Sequence, residues 1–215
     1  MTTSVFLNND CTMPLLGLGL YKITDDAEAE TAITAAVQNG YRLFDTASAY
    51  KNEEFVGHAL AKCGIPRKDL FVTTKIWNNA QRLGDVEGSL QRSLDRLSLD
   101  YIDLYLIHWP VPGCFLNTWK DKEKILESGR ALSIGVSNFE IRHLEELRRV
   151  SGIVPAVNQI ECHPLCYPKE LIEYCQSNGI QVQAYAPLAR GAYLDNDILC
   201  VLGTKYAHTP AQFGL

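Results

Sequence analysis

The 215-residue sequence predicts an α/β fold, a (β/α)8 TIM barrel, from three observations. Short apolar runs that read as strands alternate along the chain with amphipathic stretches that read as helices, the pattern of parallel βαβ units. Asn39-Gly40, Gly129 and Asn178-Gly179 stand between a helical stretch and the next strand, where a helix terminator belongs. The strand-like runs finish on polar or ionisable residues, Asp45, Lys75 and His108 foremost, and the carboxyl edge of a parallel sheet is where loops carry chemistry.

Taken in order, Val5-Phe-Leu7, the polar Asn8-Asn9-Asp10 and Cys11-Thr-Met13 predict a small amino-terminal β-hairpin outside the main repeat. Leu15–Leu20 predicts the first barrel strand. Its Gly17 and Gly19 suit close backbone packing as well as a cofactor contact, because no third glycine and no immediate helix follow to make a dinucleotide fingerprint. A helix over Asp25–Gln38 has Asp25 and Glu28 at capping spacing and Ile33, Ala36 and Val37 on one face. The alternating run Tyr41–Asp45 is the next strand. There follow a helix near 52–62, a strand at 70–74, a helix near 85–98 with Leu90, Leu94 and Leu97 on one face, and a strand at 101–107. Asn117-Thr118 predicts the cap of another helix, and then come a strand at 132–136, a helix near 140–149, a strand at 154–157, a helix near 168–177 and a strand at 180–184. Thr209-Pro-Ala-Gln212 has Thr as N-cap, Pro at the first helical position and Gln at capping-box spacing. The expectation is a single domain over residues 1–215, a barrel truncated before its eighth strand, with unpaired edges on its first and seventh strands.

Composition narrows the function. Hydrophobic residues make up 47% of the chain and charged residues 21%, enough for one sizeable core. A formal net charge of −5 without a block of like charge gives no attraction to nucleic acid or to an anionic membrane. The seven cysteines are odd in number and scattered, the start lacks a basic region followed by an apolar one, and no long apolar run occurs. Reduced thiols and a soluble, cytoplasmic protein with a small-molecule partner are expected. Cys162-His-Pro-Leu-Cys166 gathers only three metal-ligand types, so no metal is expected.

The strand ends carry Gly19-Leu20-Tyr21, Asp45 with Tyr50, Lys75 with Trp77, His108 with Trp109, Ser137-Asn138, Gln159 and Tyr185. Singly, Asp45 suits a turn, Tyr50 and the tryptophans suit packing, Lys75 a snorkelling strand end and His108 a satisfied core position. An Asp, a Tyr, a Lys and a His on successive strand ends instead suit a tyrosine hydroxyl used as a general acid. The tyrosine pKa of about 10 is high for that task, and a lysine ammonium ~4 Å away favours the tyrosinate by roughly 4 kcal/mol at an effective dielectric of about 20, less desolvation. Lys75 is therefore expected to lower Tyr50, Asp45 to hold Lys75 charged, and His108 to hydrogen-bond the substrate oxygen. A donor to an oxygen becoming an alkoxide is what carbonyl reduction needs.

These residues carry a resemblance. Gly40-Tyr-Arg-Leu-Phe-Asp-Thr-Ala-Ser-Ala-Tyr-Lys-Asn-Glu-Glu54 (residues 40–54), Leu104-Tyr-Leu-Ile-His-Trp-Pro110, Ile134-Gly-Val-Ser-Asn-Phe139 and Val157-Asn-Gln-Ile-Glu-Cys-His-Pro164 resemble the aldo-keto reductases, most nearly the compact microbial members such as prostaglandin F synthases and diketogluconate reductases. The resemblance runs from Met13 to Leu215. It implies an NAD(P)H-dependent oxidoreductase that reduces an aldehyde or ketone, with NADPH as the expected cofactor, Asp45, Tyr50, Lys75 and His108 as the catalytic tetrad and Tyr50 as proton donor. It implies that Ser137, Asn138 and Gln159 hold the nicotinamide carboxamide, that Tyr185 stacks on the ring, that Gly19, Leu20 and Tyr21 lie beside the cofactor, and that Leu188 belongs to the loop over the pyrophosphate. Arg190 suits a phosphate contact and a solvated loop equally. Tyr21, Trp77, His108 and Trp109 are implied in the substrate pocket. The family's Lys-Ser pair and Arg that grip the 2′-phosphate fall on the eighth strand and the loop after it. A monomer is expected, with pairing of open barrel edges the route to an oligomer. The alternative reading is a catalytically impaired fragment or a non-catalytic, reductase-like binding protein.

Overall fold

The structure, a computed structural model that describes residues 4–215, is a seven-stranded parallel sheet curled into a nearly closed barrel, with helices outside it and a hairpin at one end. The hairpin pairs β1 (Ser4–Phe6) with β2 (Thr12–Pro14). The barrel strands are β3 (Gly17–Gly19), β4 (Leu43–Asp45), β5 (Phe71–Ile76), β6 (Ile102–Ile107), β7 (Ala131–Ser137), β8 (Val157–Glu161) and β9 (Gln181–Tyr185). They neighbour one another in sequence order, so β3 and β9 are the outer strands, and among the described residues no eighth strand pairs with them. The helices are α1 (Asp26–Gln38), α2 (Glu53–Lys62), α3 (Asn78–Leu83), α4 (Val86–Leu97), α5 (Phe115–Glu127), α6 (Ile141–Val150), α7 (Lys169–Ser177), α8 (Asp197–Tyr206) and α9 (Pro210–Gly214). No helix among the described residues is long and apolar enough to cross a membrane, and the seven cysteines are free thiols.

Strand period divides the apolar residues between two cores, since alternate side chains face opposite ways. Phe44, Val72, Ile76, Tyr105, Ile107, Ile134 and Val136 pack outward against the helices. Leu43, Phe71, Leu104, Leu106 and Val157 fill the interior, where the hairpin's Leu7 and Met13 join them. The hairpin tip is tied to the same end: Asn8 Nδ2 donates to Pro155 O at 3.2 Å and Asn9 Nδ2 to Leu132 O at 2.9 Å. The amino-terminal end of the barrel is thereby plugged, which leaves the carboxyl end as the open one.

Most sequence boundaries lie within two residues of the observed ones, and the larger departures have identifiable causes. The fifth helix begins at Phe115 rather than at Asn117-Thr118: Phe115, Trp119 and Ile125 share its buried face, and that burial outweighs the capping preference of the Asn-Thr pair. The strand placed at 154–157 runs instead over Val157–Glu161, because Pro155 has no N–H to give a ladder and Val154 is half exposed. The sequence reading omitted α3 and α8. The second had a readable start, for Asn196 Oδ1 caps it by accepting from the N–H of Ile198 at 3.1 Å. Two predicted caps hold: Asp25 Oδ1 accepts from Glu28 N–H at 2.8 Å, and Thr209 and Gln212 exchange both bonds of a capping box.

Helix-to-helix distance around α2, which leads out of the site described below, is set by Gly57. A Cβ there would lie 2.6 Å from Leu97 O and 2.7 Å from Leu97 C, backbone atoms of α4's last turn. Gly57→Ala should therefore destabilise the chain by about 1–3 kcal/mol despite alanine's better helix propensity, read as a lower urea midpoint. A midpoint equal to or above that of the unsubstituted chain would show that the α2–α4 contact is not tight.

Candidate active site at the carboxyl end of the barrel

Strand parity selects the residues that reach the open end. Leu43, Phe71, Leu104 and Val157 point inward, and Asp45, Lys75, His108 and Gln159, each an even number of residues further on, share that face. Tyr50 comes from a single 3-10 turn, Ser48–Tyr50, closed by Tyr50 N–H on Ala47 O at 2.9 Å. Ser48 Oγ donates to Lys75 O at 2.9 Å, which sets that turn over β5. Lys51 then adopts a left-handed conformation, φ 57°, and turns the chain into α2.

The four residues meet. Lys75 is fully buried, and its Nζ donates to Asp45 Oδ1, to Thr46 O at 2.9 Å and to Tyr50 OH at 3.4 Å. An ammonium has three N–H groups, and all three have oxygen acceptors. The His108 ring stands edge-on to Tyr50 at 5.6 Å and to Trp77 at 5.1 Å, and Tyr21 lies 4.9 Å from Tyr50. His108 Nδ1 is buried without a hydrogen-bond partner. Trp109 is 44% exposed, and its carbonyl accepts from the buried Gln81 Nε2 at 3.0 Å. Among the described residues no ring contact joins Trp109 to this cluster, so it stands at the rim rather than inside.

Beside the cluster lies a neutral, amide-rich rim. Gln159 Nε2 donates to Asp45 Oδ2 and to Gln183 Oε1, both at 2.7 Å. Ser137 Oγ donates to Gln159 O at 2.8 Å, and Asn138, left-handed at φ 62°, donates through Nδ2 to His108 O at 3.0 Å and to Ser137 Oγ at 3.1 Å. Tyr185 OH donates to Asn138 Oδ1 at 2.9 Å. Across the mouth a Cβ on Gly19 would meet nothing within 4 Å, so that edge is open; Gly17, by contrast, is packed, with Leu43 Cδ2 at 2.2 Å from such a Cβ. Past β9, Ala186, Ala189 and Arg190 are all left-handed, holding the loop that carries Leu188 in a strained turn. Uncharged amides and a hydroxyl next to an aromatic face suit a flat carboxamide-bearing ring, so the residues present fit a nicotinamide.

Comparison with known proteins identifies the family. Residues 15–198 match the aldo/keto reductase family. The chain belongs to that family. It is 45% identical over 209 residues to the glyoxal reductase of Bacillus subtilis, covering 97% of this chain and 76% of that one. It is 43% identical to the 9,11-endoperoxide prostaglandin H2 reductase of Trypanosoma cruzi, covering 97% and 75%. The crystal structure of an aldo/keto reductase from Brucella melitensis superposes with a TM-score of 0.93 at 42% identity, over 98% of this chain and 81% of that one. Aldo/keto reductases use a nicotinamide cofactor and reduce carbonyl groups, and the family's barrel is the fold observed here.

In this aldo/keto reductase the electrostatics differ from the sequence expectation at one point. Burial pushes the Tyr50 hydroxyl above the ordinary tyrosine range, and the negative charge of Asp45 pushes it further. The expected lowering by Lys75 does not prevail: burial also pulls Lys75 down, against the opposing pull of Asp45. With the cation's field largely matched by its own carboxylate partner, desolvation decides the sign. His108 is pushed down to about 3, by burial first and by the Lys75 ammonium second.

Sequence reasoning missed residues that hold the tetrad from behind. Glu53 is completely buried, and its Oε1 accepts from Thr74 Oγ1 at 2.6 Å while its Oε2 accepts from Arg96 Nε at 2.9 Å. Thr74 precedes Lys75, so this carboxylate ties β5 to α2 and α4. A glutamate in the first turn of a helix ordinarily faces solvent, and only the partner at position 96 marks this one as buried. Among the described residues no group of three His, Cys, Asp or Glu side chains is placed to hold a metal ion.

A neutral His108 predicts a pH dependence. Between the ordinary imidazole value of about 6.5 and the folded value near 3, the unfolded chain binds a proton that the folded chain refuses. This contribution to stability is fully present above about pH 6.5 and is lost as pH falls toward 3, with a slope of at most about 1.4 kcal/mol per pH unit. His108→Asn removes it, so the drop in urea midpoint between pH 7 and pH 4.5 should shrink in that variant. An unchanged drop would mean that His108 is not held neutral.

Proposed function

We propose that this chain is an NADPH-dependent reductase that converts an aldehyde or ketone to the alcohol, with Tyr50 as proton donor. The observation that carries the reading is the contact of Tyr50 OH with Lys75 Nζ at 3.4 Å, in a fully buried ammonium already bound to Asp45, at the open end of the barrel. NADPH rather than NADH rests on the resemblance of the chain to its family. Ser137, Asn138 and Gln159 would hold the carboxamide, Tyr185 the ring face, Gly19, Leu20 and Tyr21 the near side, and Leu188 the pyrophosphate loop.

A nicotinamide held by these residues would supply a hydride for the carbonyl carbon. The chain's own residues handle the oxygen. Tyr50, held protonated by burial, keeps its proton until a stronger base develops beside it, and an oxygen becoming an alkoxide is such a base. The O–H bond of Tyr50 breaks as the new O–H bond of the alcohol forms. The tyrosinate left behind faces the Lys75 ammonium, whose charge Asp45 retains, and a hydrogen bond to an anion is about twice as strong as one to a neutral oxygen. Neutral His108 offers an N–H to the carbonyl oxygen and orients it without competing for the proton. Tyr21 and Trp77 supply apolar walls and Trp109 the rim, exposed enough to admit carbonyls of varied shape.

The Bacillus relative's name makes glyoxal, a small dicarbonyl, the first substrate to test. Purified chain should bind NADPH, seen as quenched tryptophan fluorescence, and consume it when glyoxal or a simple aldehyde is added. Tyr50→Phe should lower kcat by about 10²–10⁴-fold, the range for loss of a general acid, with NADPH binding intact. Retained turnover in that variant would remove Tyr50 from the role. A folded chain that neither binds NADPH nor turns over would favour the non-catalytic reading.

A further inference from the structure

Asn52 stands at the N-cap of α2, where asparagine ordinarily turns its side-chain oxygen to the helix's own second or third N–H. It makes no such bond here. The side chain is buried and spans two loops instead: Oδ1 accepts from Thr46 Oγ1 at 2.7 Å, and Nδ2 donates to Leu20 O at 2.7 Å and reaches Ile23 O at 3.4 Å. Leu20 and Ile23 flank Tyr21 on the loop after β3. Thr46 begins the loop that leads to Tyr50, and its carbonyl is one of the three acceptors of Lys75.

Tyr21 itself is 59% exposed and has no side-chain hydrogen bond among the described residues, yet its ring lies 4.9 Å from that of Tyr50. The loop's other tie to β4 is Leu20 N–H on Asp45 O at 2.9 Å, which fixes only the residue before Tyr21. The amide of Asn52 grips both sides of it. Its neutrality matters, because a carboxylate at this position would face two carbonyl oxygens without a proton to offer them.

We propose that Asn52 is a positioning residue: its buried amide holds the Tyr21 wall against Tyr50 and so sets how firmly the carbonyl substrate is gripped. The inference rests on the carbonyl-reducing role of this site. Asn52→Ala and Thr46→Val, the latter nearly isosteric and disrupting only one end of the bridge, are each made alone and with Tyr21→Ala, and assayed in the full chain with NADPH and 4-nitrobenzaldehyde. Each single variant should raise KM for the aldehyde by about fivefold or more, a larger factor than any accompanying change in kcat. In the Tyr21→Ala background neither should add more than about twofold, because the wall that the amide positions is gone. Effects of equal size in both backgrounds would overturn the proposal. Amide exchange over residues 20–24, followed without substrate, should speed up in both single variants while residues 131–137 stay unchanged; unaltered exchange over 20–24 would overturn it as well. Exchange needs no turnover, so a wild-type chain that fails to reduce aldehydes would count against the function and leave the bridge to be judged on exchange.

Discussion

The buried pairing of Lys75 with Asp45 is the constraint on which the rest of this structure depends. An ammonium taken wholly out of water is tolerated only if its charge is paired and every N–H has an acceptor. Here the three acceptors come from three different places: the last residue of β4, the backbone carbonyl just after it, and the tip of the Ser48–Tyr50 turn. The carboxylate's other oxygen is then taken by Gln159 from β8 on the far side of the mouth. One ion pair thus draws β4, β5, the Tyr50 turn and β8 to a common point. If β5 slipped by one residue against β4, Lys75 would face the helices and every one of these bonds would be lost.

Burial alone does not make a lysine part of a site, and this chain contains the contrast. Lys122 on α5 is as fully buried as Lys75, donates to Tyr105 O at 2.6 Å and to Gly135 O at 2.8 Å, and faces the rings of Tyr105 and Trp119. Among the described residues no carboxylate pairs with it, and burial holds it well below the ordinary lysine range. Two carbonyl acceptors and two ring faces hold its Nζ, so Lys122 works as a polar strut between α5 and the sheet. Lys75 has a carboxylate and a third acceptor that is itself titratable. That difference, rather than burial, is what separates the two lysines.

The same pair of lysines shows what was legible in the sequence. Lys75 could be singled out because it ends a strand-like run, and the period of two then places Asp45, Lys75 and His108 on one face without any knowledge of distances. The strand–helix alternation likewise fixed the order of the barrel. Lys122, Glu53 and Asn52 were not legible in this way. All three sit on helices or at a helix start, where Lys and Glu read as solvated and Asn reads as a cap, and their actual partners are 6 to 43 residues away. Helix-end signals failed where packing overrode them, as at Phe115, because a buried aromatic stripe contributes more than a capping bond.

The direction in which Tyr50 is shifted alters what its neighbours are for. A lysine that acidified the free tyrosine would leave a fraction of it ionised and unable to donate before any substrate arrived. In this site burial and Asp45 together keep the hydroxyl protonated, and Lys75, 3.4 Å away and balanced by its carboxylate, exerts little net pull on a neutral oxygen. In the proposed reaction, once the proton has left, the same ammonium faces a full negative charge in a medium where screening is weak, and the interaction becomes strong. A group that stabilises the state after transfer more than the state before it lowers the barrier of the step. The raised tyrosine thus suits the proposed donor: it keeps its proton until the substrate oxygen becomes the stronger base, and the ammonium already paired beside it then stabilises the tyrosinate.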